Sequence, residues 1–266
     1  MEPRRIAARD AVYARLERLA PYEFDPGYYP HHFVRRPSLI TSTPGPAPRR
    51  IWTAWMGDNE MTQSRRDSLR SIRRLHPRFE VELVTMDSFP EHLVEGHPIH
   101  PGFESLGPVQ KSDYVRCYLL HHHGGVWLDL KPTTVGWDAT LDRLNERDDL
   151  WVAGYPEVTT RYVALEPGVL GKHLVRHYTR LLGASAYAMK AYSPFTSDWY
   201  EEQHARLTYW LDPLQRFPAT SPYEIPRDHP IGWGELAYNI THPLSLKYGP
   251  HLLLDGELTP ELRNYR

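Results

Sequence analysis

Asp113, Arg116, Asp129 and Lys131 are the charged side chains whose spacing could do chemistry. All lie in one stretch, G-P-V-Q-K-S-D-Y-V-R-C-Y-L-L-H-H-H-G-G-V-W-L-D-L-K, residues 107–131. Proline at 108 suits a first helical turn, where its missing N–H costs nothing. The run from Val109 to His123 then gives roughly four turns without a breaker, and Asp113 and Arg116, three residues apart, share a face. Gly124-Gly125 supplies a left-handed C-cap and a reversal. A strand from Val126 to Lys131 follows. Its period of two sends Trp127, Asp129 and Lys131 to one face and Val126, Leu128 and Leu130 to the other. Pro132 ends it, because proline cannot donate to a ladder. A ring, a carboxylate and an ammonium group therefore arrive together at a strand's C-terminal end, where open α/β sheets bind ligands. The glycine turn brings helix and strand back together, with the Asp113/Arg116 pair looking toward Asp129. The competing readings are an ion pair on a solvated helix face for Asp113/Arg116 and a solvated strand-end lysine for Lys131.

The Asp129/Lys131 pair suits a diphosphate leaving group, whose developing negative charge needs a metal ion or fixed cations. At about 4 Å and an effective dielectric near 20, one unit-charge pair contributes about 4 kcal/mol, so a lysine could supply part of what a divalent ion would. Other chemistries find less support. The chain has no G-x-x-x-x-G-K-[ST] loop, no G-x-G-x-x-G after a strand and no G-x-S-x-G elbow. A glycosidase needs two nearby carboxylates, and the Asp129 strand offers one. A phosphatase or nucleotidyltransferase would need clustered carboxylates. His121-His122-His123 cannot converge on one ion, since successive helix residues point about 100° apart. Cys117, the lone cysteine, excludes an internal disulfide and a cysteine-based zinc site, and reads as a small core residue.

The elements that position these residues follow the rhythm of an α/β domain. Arg50 to Met56 reads as a strand, Thr62 to Leu75 as an amphipathic helix and Val81 to Met86 as a second strand, predicting a right-handed crossover and a parallel pair. Residues 89–103 lack periodicity and read as loop. Leu141 to Leu144 fits a helical turn, Leu150 to Gly154 a buried strand and Gly171 to Leu182 a helix. Glu235 to Ile240 fits a helix ended by Pro243. Ahead of all this, Ile6 to Leu19 carries Ile6, Val12, Leu16 and Leu19 among arginines, an amphipathic helix. A Pro- and Tyr-rich segment to residue 48 reads as an arm, a linker or ordered coil. The expected organisation is thus an N-terminal helix and arm, 1–48, ahead of one domain, 49–266. The formal charge of −2, from 31 basic and 33 acidic side chains, argues against a nucleic-acid binder. No apolar run is long enough to span a bilayer and no signal-peptide core is present, so a cytoplasmic location with at most peripheral membrane contact is expected.

The stretch from residue 111 to 131 resembles the signature of DXD-type sugar transferases of glycosyltransferase family 32: S-D-x-x-R, an apolar run, G-G, an aromatic residue and L-D-x-D. That group includes mannosyltransferases and capsular polysaccharide synthesis proteins, and is distantly similar to the glucosyltransferase domains of large clostridial toxins. T-A-W-M-G at residues 53–57 is similar to the family's strand-end W-x-G. I-G-W-G-E…H-P-L-S-L-K-Y, residues 231–248, resembles C-terminal segments of the capsular branch. The resemblance implies a GT-A-like single domain with a mainly parallel central sheet flanked by helices. It also implies a UDP- or GDP-sugar donor and retaining transfer to a hydroxyl of a glycan or polysaccharide. It assigns Trp55 and Gly57 to the nucleobase end, Asp113 and Arg116 to donor sugar hydroxyls or phosphate, Trp127 to the ribose and Asp129 to the ribose or a metal-bound water. Glu235 would face the acceptor or leaving group, unless it serves only a helix's first turn. Where the family's second aspartate ligates Mn²⁺ or Mg²⁺, this chain has Lys131. Three outcomes stay open: a lysine in place of the metal, a metal site completed by Asp129 with His242, or a non-catalytic nucleotide-sugar or glycan-binding protein on the same fold.

Overall fold

The computed structural model describes residues 2–40, 42–219 and 227–262. Its centre is a six-stranded sheet in the order β2-β1-β3-β5-β4-β6: β1 Arg50–Trp55, β2 Glu80–Thr85, β3 Gly125–Leu128, β4 Val152–Pro156, β5 Leu182–Met189 and β6 Leu252–Leu254. β1 pairs parallel with β2 and β3, and β4 parallel with β6. Only β5 runs against its neighbours. The sheet is therefore mainly parallel, and the C-terminal ends of β1, β2, β3, β4 and β6 share one edge.

Helices cover both faces. On one side α2 (Gln63–Leu75) and α4 (Asp138–Asn145) pack Leu69, Ile72, Leu141 and Leu144 against Val126 and Leu128. On the other, α3 (Pro108–His122), α5 (Gly168–Arg176), α6 (Pro194–Tyr209) and α8 (Tyr238–Lys247) enclose Trp52, Trp127 and Tyr187. The alternation expected across β3 is thus observed: Val126 and Leu128 enter one core and Trp127 the other. Between α6 and α8 the chain also makes the short α7, Leu211–Arg216.

At the N-terminus α1 (Glu2–Leu19) and the following arm lie on the α3 side. Tyr29, Phe33 and Val34 of the arm are buried in that core, so the segment before residue 48 is ordered chain packed on the sheet domain.

Several elements differ from expectation. The strand holding Asp129 stops at Leu128: the Lys131 N–H turns back to the Asp129 carbonyl at 2.6 Å, which takes the chain out of the ladder. The helix expected from Gly171 to Leu182 ends at Arg176, and Leu182 opens β5. Helix α8 runs through Pro243 to Lys247. A proline there leaves the carbonyl four residues back without its usual donor, and Arg206 Nη2 takes that Asn239 oxygen at 3.4 Å. Residues 89–92 and 101–105 form short 3-10 turns inside the segment read as loop. Helix α1 is turned opposite to its apolar pattern: Asp10 and Glu17 are buried and Val12, Leu16 and Leu19 are exposed. The expected domain extends to residue 266, of which 220–226 and 263–266 lie outside the described residues.

Candidate active site

The glycine turn does what its sequence suggests. Gly124 and Gly125 adopt φ of +66° and +100°, and a Cβ on Gly125 would sit 2.8 Å from the Arg50 carbonyl. The chain reverses there, so that α3 lies antiparallel along β3 and Arg116 comes level with Asp129.

Arg116 is the hub. Its Nη2 lies 3.1 Å from Asp129 Oδ1 and 3.2 Å from Asp113 Oδ1. Its Nη1 donates to the Ala184 carbonyl at 2.5 Å and the Tyr187 hydroxyl at 3.1 Å, both on β5. The guanidinium carbon stands 4.8 Å from the Trp127 ring centre. Burial alone would make this guanidinium easier to deprotonate, but Tyr187, Asp129 and Asp113 push its pKa further up, so it remains a fixed cation.

Both oxygens of Asp129 face donors. Oδ1 accepts from Arg116 and from Trp127 Nε1 at 2.9 Å, and Oδ2 lies 3.1 Å from Lys131 Nζ. Burial works against its charge, yet Lys131 and Arg116 hold its carboxyl below the ordinary range. Lys131 Nζ also donates to Ser185 Oγ on β5 at 2.5 Å. From the other side of the sheet, Arg65 of α2 donates to the Leu130 carbonyl at 2.5 Å. Asp113 differs from Asp129. Burial outweighs Arg116, and with Asp129 nearby its pKa rises to about 6.

Beside this cluster, over the C-terminal ends of β1 and β2, lies a cleft of about 550 Å³ whose lining includes Trp55, Gly57, Thr85, Asp87 and Lys111. It reaches Pro108 at the start of α3, where a helix N-terminus and Lys111 both favour an anion. Trp55 is fixed by its Nε1 donating to the Asn59 carbonyl at 2.8 Å. At Gly57 a Cβ would fall 2.4 Å from Asn59 Oδ1.

Trp127 is only 1% exposed. With Arg116 over its ring it forms the wall behind Asp129 and presents no open face to a ribose. Glu235 lies on the turn before α8, its Oε1 2.9 Å from Arg206 Nη1. Tyr238 is near it in the chain, its hydroxyl donating to the Trp233 carbonyl at 2.9 Å, and burial first, then Asp113, Glu235 and Glu157, raise this phenol's pKa. His242 is fully buried. Its Nδ1 accepts the Ala164 N–H at 3.1 Å, and its Nε2 lies 3.5 Å from Glu157 Oε1.

These groups do not fit a divalent ion. With Nδ1 accepting, the His242 proton sits on Nε2, which leaves no lone pair for a metal. Asp129 already faces two cations. Among the described residues no three His, Cys, Asp or Glu side chains are grouped to hold an ion.

Four contributors were not singled out from sequence: Ser185, Tyr187, Glu157 and Tyr238. The first two come from β5, whose short apolar run L-G-A-S-A-Y-A-M carries no local sign of facing Asp129.

Residues 35–166 match the family described as capsular polysaccharide synthesis protein, and the matched segment contains the α3–β3 turn and its four charged residues. The match covers just under half of the chain. It is consistent with the resemblance to family-32 glycosyltransferases. The chain is also 31% identical over 99 residues to inositol phosphoceramide mannosyltransferase 3 of Schizosaccharomyces pombe (strain 972 / ATCC 24843). That match covers 36% of this chain and 27% of the yeast protein, so it spans about a quarter of the curated relative's length. The solved structure of PaToxG glycosyltransferase aligns with 77% of this chain, over 69% of its own chain, at a TM-score of 0.41 and 9% identity. Among the described residues no helix is long and apolar enough to cross a membrane.

Proposed function

We propose that the protein transfers a sugar from a nucleotide-sugar donor to a hydroxyl of a glycan or polysaccharide acceptor, with Lys131 serving where related enzymes use a metal ion. The observation that carries this reading is the ammonium group of Lys131, held by Asp129 and Ser185 at the edge of the sheet that also bears the Trp55 cleft. The family match and the mannosyltransferase relative support glycosyl transfer.

In this reading the nucleoside occupies the cleft against Trp55 and Gly57, and the diphosphate lies between the start of α3 and Lys131. As the glycosidic C–O bond breaks, negative charge grows on the β-phosphate, and a preoriented ammonium group lowers that barrier without rearranging. Arg116, whose Nη atoms are engaged by Asp113, Asp129, Ala184 and Tyr187, acts as a positioning residue that holds Asp129, which in turn holds Lys131. Asp113, when ionised, accepts from donor sugar hydroxyls. Glu235 stands toward the acceptor. A retaining, front-face course needs leaving-group stabilisation more than a strong protein base, and this charge arrangement favours it.

Thermal unfolding against UDP-, GDP- and dTDP-sugars, each with Mn²⁺ and with EDTA, tests the reading. A ligand at about 100 times its Kd adds about 2.7 kcal/mol, a rise in midpoint of roughly 5 °C for a chain of this size. One donor giving an equal shift in EDTA supports the proposal. A shift only with Mn²⁺ overturns the role of Lys131. Donor binding without any turnover would identify a binding protein on the same fold.

A further inference from the structure

Helix α1 is anchored by its acids. Asp10 accepts from Thr159 Oγ1 at 2.7 Å and Thr160 Oγ1 at 2.6 Å, and Glu17 is bonded by His177, Arg180 and the Tyr22 N–H. No other acid occurs between residues 4 and 20, so no exposed carboxylate is left on that part of the helix. Its apolar residues point the other way: Val12, Leu16 and Leu19 are 53%, 37% and 72% exposed. At i, i+4 and i+7 they form one stripe. At about 100° per residue, Arg4, Arg15 and Arg18 line one side of that stripe, Arg9 the other, and Arg5 extends its N-terminal end. All five arginines are exposed.

The segment that Asp10 grips lies against the inward side of α1 and carries exposed apolar residues of its own. Val158, Tyr162 and Leu165 are 45%, 43% and 92% exposed, with Arg161 exposed among them. This segment leaves the C-terminal end of β4, on the same sheet edge as Asp129. An apolar stripe flanked by arginines, with both carboxylates between residues 4 and 20 turned inward, is complementary to one kind of surface. Acyl-chain boundaries accept the apolar side chains while lipid phosphates take the guanidinium groups.

We infer that the outward face of α1 docks on an anionic phospholipid bilayer. The docking does not depend on the transferase reading above.

The test is co-sedimentation of the full chain with phosphatidylcholine vesicles and with phosphatidylcholine–phosphatidylglycerol vesicles. Binding is expected only to the anionic vesicles, weakening with salt as the charges are screened. Each surface charge lost costs about fivefold in partition coefficient, so Arg15→Glu/Arg18→Glu should lower it by at least about twentyfold. Leu16→Glu/Leu19→Glu should also release the protein. Because these side chains are exposed, both variants should keep the wild-type unfolding midpoint and donor-induced stabilisation. No binding to either vesicle, equal binding to both, or variants that bind like wild type would overturn the docking. Self-association relieved by Leu16→Glu would assign the face to a second copy and overturn it as well. Donor stabilisation without vesicle binding defeats the docking alone, and vesicle binding without donor stabilisation defeats the transferase reading alone.

Discussion

Lys131 Nζ lies 3.1 Å from Asp129 Oδ2 and 2.5 Å from Ser185 Oγ. A lysine thus occupies the side of the Asp129 carboxylate that a second aspartate and its metal would share in a D-x-D arrangement. Replacing it by an uncharged side chain, Lys131→Met, should lower kcat by about 10²- to 10³-fold, the usual cost of removing one charge stabiliser, with little change in donor KM. The opposite substitution is more diagnostic. Lys131→Asp recreates the acid pair, so donor-induced stabilisation should become dependent on Mn²⁺. Calorimetric titration of both variants with and without EDTA measures this; a Lys131→Asp protein indifferent to Mn²⁺ would contradict the arrangement.

Asp113 supplies a pH signature. Its pKa of about 6 means that it is ionised, and able to accept from sugar hydroxyls, only above that pH. The acid limb of kcat/KM should therefore fall with an apparent pKa near 6. Asp113→Asn should remove the limb while lowering the plateau. An acid limb that survives in Asp113→Asn would assign the ionisation elsewhere.

The tandem histidines predict acid lability. His121 and His122 at the end of α3 pack on Tyr200 of α6, whose ring also meets His204, and His122 packs on His97 of the preceding loop. Burial first, and then neighbouring imidazoles, lower His121 to about 3 and His122 to about 4. Unfolded imidazoles titrate near 6.5, so below that pH the unfolded chain binds protons that the folded chain does not. Stability is lost as pH falls from about 6.5 toward 3 to 4, each of the two costing about 2 kcal/mol at pH 5. Asp113 has the opposite sign, since its raised pKa gives stability that disappears as pH rises through about 6, and it offsets part of the loss. Urea unfolding at pH 5 and pH 8 should show the net fall, and His122→Gln should reduce it. A flat profile would rule out a neutral, buried pair.

The centre of the fold was legible because its signals are local. The Gly124-Gly125 turn, the β1–α2–β2 crossover and the alternation around Trp127 each follow from neighbouring residues. What escaped detection depended on partners distant in sequence. β5 is rich in Ala and Gly, a composition without a strand signature, and it becomes a strand because β3 and β4 flank it. Gly183 in it is required because the Tyr155 ring lies 2.0 Å from where its Cβ would be. Pro243 reads as a helix end until Arg206, from another helix, satisfies the carbonyl it strands. For α1 the apolar spacing identified the helix, but Thr159, Thr160, His177 and Arg180 decided which face turned inward.

The antiparallel β5 has a consequence for how the protein is born. The bond from Lys131 to Ser185 spans 54 positions, and that from Arg116 to Ala184 spans 68. While a nascent chain has emerged only as far as residue 166, the whole family signature is exposed but the strand that fixes its charges has not been made. Asp129 and Arg116 must wait, hydrated and unfixed, until β5 inserts between β3 and β4. Such non-local closure is slow compared with helix formation, so the charges of this site take their places late, after much of the surrounding secondary structure is able to form.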